Sequence, residues 1–186
     1  MFLVAGCDGA ETRRPLNFQE AGGSLTAAQE GLREVTLSLA ADDTAFYGPP
    51  SAGEKVNALE VSLRSADNLA WLSLHILDVR GARGYVLDSK TEGRLTLLLG
   101  ETCNGAMGDL LGPGCRWYSS DFFSAGCSAT VEILKDDEIG GSVTCRALGA
   151  NCPTGTGLRD AAGACTDGER YTPLGLTASF RMRQPQ

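Results

Sequence analysis

Cys127-Ser128-Ala129-Thr130-Val131-Glu132-Ile133-Leu134 runs into Lys135-Asp136-Asp137-Glu138-Ile139-Gly140 and returns through Gly141-Ser142-Val143-Thr144-Cys145. Two arms joined by a polar turn read as a β-hairpin centred near Asp136. That centre sets Cys127 opposite Cys145 and Val131 opposite Gly141. Directly opposed residues of a non-hydrogen-bonded antiparallel pair have Cα atoms about 4.5 Å apart, a distance a disulfide spans. The hairpin therefore predicts a Cys127–Cys145 bridge and antiparallel strands as the building unit of the fold.

The pattern extends in both directions. Arg33 to Leu39 alternates, with Val35, Leu37 and Leu39 on one face and Glu34, Thr36 and Ser38 on the other. After the turn-rich Gly48-Pro49-Pro50-Ser51-Ala52-Gly53, the same alternation recurs from Ala58 to Arg64. Trp71 to Val79 is apolar on both faces, which predicts a central strand between packed layers. Tyr85-Val86-Leu87 and Leu95 to Leu99 supply two more strands. Leu174 to Arg183 closes the set, with Leu176, Ala178, Phe180 and Met182 on one face. Ser24 to Arg33 is open between one helical turn, favoured by Ala27, Ala28 and Glu30, and a strand. The 24 glycines suit short strands and many turns. Nothing alternates strand with long helix. The prediction is an all-β fold, an antiparallel β-sandwich stapled by disulfides, over residues 20–186.

Seven cysteines are an odd number for a secreted, disulfide-bearing chain, and the N-terminus explains the odd one. Val4-Ala5-Gly6-Cys7, with apolar Met1-Phe2-Leu3 before it and Asp8-Gly9 after, has the pattern of a bacterial lipobox. In such proteins the chain is cut before the cysteine, which carries a diacylglycerol. Residues 1–6 then read as the remnant of a signal peptide whose basic start is missing, and residues 7–19 as a lipid-anchored tether. Lipidation of Cys7 leaves six cysteines for three bridges. With Cys127–Cys145 assigned, the others fall into local loops, Cys103–Cys115 and Cys152–Cys165. A zinc site is disfavoured because none of the six has C-x-x-C spacing and the sole histidine is His75.

The order of these motifs resembles a known group. It comprises a strand through Arg83-Gly84-Tyr85 to Leu87, the Cys127-x-x-x-Val131-x-Ile133 segment, Gly141-Ser142-Val143-Thr144-Cys145, and a last strand with Ser179-Phe180. It is similar to small disulfide-containing β-sandwich domains of Gram-negative secreted lipoproteins, a family of unknown function. Val143 stands where that pattern has an aromatic residue. The resemblance implies a fold and a location in the cell envelope, on the periplasmic or cell-surface face, and no reaction.

Chemistry is thinly marked. The formal net charge of −7 argues against nucleic acid, whose phosphates require a basic face, and disfavours anionic lipid surfaces. No G-x-S-x-G elbow is present, and His75 sits mid-strand between Leu74 and Ile76, where a structural role is expected. The carboxylates Asp42-Asp43 and Asp136-Asp137-Glu138 lie adjacent on turns and cannot straddle a cleft as a glycosidase requires. No calcium loop of the D-x-[DN]-x-[DN]-G form occurs, and no cofactor is expected. The stretch Gly100 to Gly126 is long for a loop. Its aromatics Trp117, Tyr118, Phe122 and Phe123 are candidate ligand contacts, set against the plainer reading that they plug the core or lie on another short strand. These observations predict a lipid-anchored, non-catalytic binding or interaction module for an envelope protein or glycan. The rival is a secreted hydrolase acting on envelope glycan or peptidoglycan.

Overall fold

The computed structural model describes residues 16–18, 20–28, 35–39, 45–51, 54–88, 92–99, 116–121, 126–150 and 174–184. Among these residues twelve strands follow in order: β1 Leu16–Asn17, β2 Glu20–Ala28, β3 Val35–Ser38, β4 Ala45–Gly48, β5 Ala58–Ser65 and β6 Ala70–Ile76. Then come β7 Gly84–Leu87, β8 Gly93–Leu99, β9 Arg116–Ser119, β10 Cys127–Leu134, β11 Glu138–Ala150 and β12 Leu174–Arg183. The fold is all-β, and among the described residues it is almost wholly antiparallel, the exception being a single parallel bridge, Leu87 to Gly93.

All twelve strands belong to one sheet, in the order β1-β4-β5-β3-β2-β12-β11-β10-β7-β8-β6, with β9 pairing both β11 and β8. This path returns on itself. β6 also pairs β5, from Leu59–Ile76 to Arg64–Trp71. Closure is possible because three strands divide one of their edges between two partners. On β5, β4 takes Ala58 to Val61 and β3 takes Arg64 and Ser65. β11 passes from β10 to β9 after Cys145, and β8 passes from β7 to β9 after Gly93.

The interior is filled by the alternating faces. Leu25, Leu37, Leu59, Leu63, Leu74, Leu95, Leu97, Val143 and Met182 all face inward with essentially no exposure. Each such side chain contributes about 1.5–3 kcal/mol by leaving water. The segment Ser24 onward, open in the sequence, is strand as far as Ala28, because β12 and β3 claim both its edges. The last strand forms over Leu174–Arg183 with the expected face buried. Trp71 to Val79 departs from expectation. Only Ala70–Ile76 is strand, its Trp71–Ser73–His75 face lies on the outside of the ring, and Leu77 is 52% exposed. Leu16, Asn17 and Phe18 also differ from a free tether. The first two pair with Tyr47 and Phe46, and the Phe18 ring is buried in the core.

The central hairpin matches its reading in register. Cys127 faces Cys145, with Cα atoms 4.0 Å apart and a disulfide between them, and Val131 faces Gly141. Both sulfurs point into the core. In the chain-entropy model a bridge closing a loop of this size contributes about 3 kcal/mol. Past Val131 a bulge places Ile133 opposite Gly140, which shifts the register by one residue and the centre of the turn by half a residue. Glycine is required at 141 for space. A β-carbon there would lie 2.0 Å from the Thr130 carbonyl oxygen and 2.9 Å from the Phe180 ring.

Candidate functional site

The expected contact residues are divided by the structure. Trp117 and Tyr118 lie on β9, a short strand laid between β8 and β11, with Trp117 in register with Leu98 and Tyr118 with Leu97. Leu97 faces the core and so does Tyr118, at 2% exposure, so Tyr118 packs the interior and offers no contact surface. Phe122 and Phe123 lie outside the described residues, as do Cys7, Cys103, Cys115, Cys152 and Cys165 and the pair Asp42-Asp43.

Polar side chains are instead assembled on the outer face of β5, β6 and β8, by register alone. Glu60, His75 and Arg94 form one cross-strand row, and Ser62, Ser73 and Thr96 the next. His75 Nε2 lies 3.3 Å from Glu60 Oε1, and both side chains are about two-fifths exposed. Arg94 Nε donates to Asp121 Oδ2 at 2.9 Å, just past β9, while Asp121 Oδ1 is buried without a partner among the described residues. The Trp71 indole N–H donates to Ser62, which lays the ring along the strand surface. His75 was visible in the sequence. The row it joins was not, since Glu60, Arg94 and Asp121 are brought together only by strand order. The strands that carry the two outer carboxylates of this row are three backbone spacings apart, about 14 Å.

A second cluster forms where β2, β11 and β12 run together. Glu138 is the last of the acidic turn residues, and it is not solvated like Asp136 and Asp137. It is 15% exposed and accepts from both Arg181 Nε and Arg183 Nε, the latter at 3.1 Å. Arg181 beside it, followed by Arg183, holds its carboxyl below the usual glutamate value against the opposing effect of burial. Arg181 stands between two glycines, in register with Gly140 on β11 and Gly22 on β2. On the β2 side an open cleft of about 510 Å³ is lined by Glu20, Ala21, Gly22, Leu39, Arg181 and Arg183.

Among the described residues no group of three histidine, cysteine or carboxylate side chains could hold a metal ion, and no helix is long and apolar enough to cross a membrane. No protein-family model matches the chain, and no curated protein and no solved structure matches it.

Proposed function

We propose that the protein is a lipid-anchored component of a bacterial cell envelope, a binding or interaction module held to the membrane through Cys7. The observation that carries this reading is Val4-Ala5-Gly6-Cys7, which also accounts for the odd one among seven cysteines. The Cys127–Cys145 bridge supports an oxidising compartment, where disulfides persist. The oppositely charged and hydroxylic rows on the outer face support binding over catalysis, since their carboxylates are already engaged by His75 and Arg94. Anchoring of this kind leaves the strand surfaces free to meet an envelope protein or glycan.

Expression in a bacterium behind a complete secretion signal tests the reading. The wild-type chain should incorporate radioactive palmitate and partition into detergent, and Cys7→Ser should do neither. Equal labelling of the two forms would remove the anchor and the location together.

A further inference from the structure

Arg181 and Arg183 are neighbours on the outward face of β12, and each is more than half exposed. Both give their Nε–H to the same oxygen of Glu138, which reaches them from β11. One carboxylate thus faces two cations and occupies only one donor of each. A guanidinium presents a fork of further N–H donors suited to carboxylate and phosphate oxygens. The cleft lies on the β2 side, away from the strand that carries Glu138. Gly22 stands in register with Arg181 there and adds no side chain, so the space beside the guanidinium stays open. Glu138 and Glu20 balance the two guanidiniums in formal charge, so the cleft is locally neutral in a chain of formal net charge −7.

We propose that this cleft binds a phosphate-type oxyanion of a soluble ligand, gripped by the guanidinium ends of Arg181 and Arg183 over Gly22. Phosphate fits better than a carboxylate because it offers oxygens to two forks at once, whereas Glu138 already supplies the single-oxygen contact. Ala21 and Leu39 complete the lining, both partly buried against the core. A bilayer is the weaker source of the phosphate, since the net charge of −7 repels an anionic surface. Glu20, exposed at the rim and in register with Arg183, opposes the anion and sets an upper limit on affinity. The site deepens the binding-module reading, but it stands on the cleft and not on the anchor, so it survives or fails independently of Cys7 labelling.

The test uses the full chain with Cys7→Ser, titrated with inorganic phosphate while the Arg181 and Arg183 side-chain Nε–H resonances are followed by NMR. Saturable shifts are expected, with affinity reduced roughly tenfold by Arg181→Gln or by Arg183→Gln. Glu20→Gln should tighten binding by a few-fold, on the order of one surface charge interaction. Gly22→Val should abolish binding while leaving the denaturation midpoint near wild type. A β-carbon at Gly22 meets nothing closer than the Leu37 carbonyl oxygen at 3.9 Å, so the new side chain fills the cleft rather than the core. Absence of saturation, or the same shifts in the double arginine variant, would overturn the site. Flotation with phosphatidylglycerol vesicles that depends on both arginines would overturn the soluble source.

Discussion

Tyr85 shows how much one side chain organises here. Its ring is buried at 1% exposure, yet its hydroxyl reaches back along the chain, accepting from the Arg80 N–H at 2.9 Å and donating to the Gly81 carbonyl at 2.7 Å. The turn it ties has Gly81 at φ +119°, a conformation that side chains rarely adopt. The Arg83 guanidinium lies over the ring at 4.1 Å and also pairs with Glu92. Tyr85→Phe keeps the packing and removes both hydrogen bonds, leaving a part-buried backbone N–H unpaired. It should lower stability by about 1–3 kcal/mol, read as a shift in urea midpoint at unchanged slope. A change within about 0.5 kcal/mol, the ordinary surface value, would mean that the turn holds without the tyrosine. Arg83-Gly84-Tyr85 was legible as a strand entrance, but the hydroxyl's partners were not, because they depend on the turn's path.

At the scale of elements, the β11–β12 ladder is the longest in the sheet, and Glu138 pins its end near the hairpin turn. Arg181 and then Arg183 keep the Glu138 carboxyl below its usual value of 4.5. Glu92 is lowered likewise by Arg83 and by the Val86 backbone N–H. A carboxyl lowered in the folded state contributes stability that is complete above its unfolded value and is lost as pH falls through its folded value. The urea midpoint should therefore fall on acidification below the ordinary glutamate range, and Glu138→Gln should flatten part of that fall while weakening the protein near neutrality. Acid curves for the two proteins that differ only by a constant offset would contradict the ion-pair assignment. The hairpin itself was readable because its two arms are local and its cysteines mark the register. β4 was not predicted, and β9 only as the plainer reading of the Trp117 stretch, a short strand that plugs the core. Each is only four residues long and is strand because β5, or β8 and β11, offer a vacant stretch of edge.

For the whole molecule, closure means that the central strands have bonded neighbours on both sides while β1 is paired among the described residues only with β4. Backbone amides of β12 and of β11 up to Cys145 should exchange with solvent only through global opening, and those of β1 through local fraying. Hydrogen exchange followed by mass spectrometry measures this, and similar protection in β1 and β12 would show that the ring is not the cooperative unit. The amino-acid sequence by itself determined the all-β class, the inward faces of β3, β5 and β12, and the Cys127–Cys145 register. Each of these depends on a period-two pattern or on a short hairpin, and both are local. Only the tertiary structure decided that β5 meets β6 to close the sheet, that Trp71 and His75 face outward, and that Arg181, Arg183 and Gly22 frame a cleft. Those outcomes join residues as distant as Gly22 and Arg181, whose pairing is set by which strand edges remain free after the nearer strands have paired.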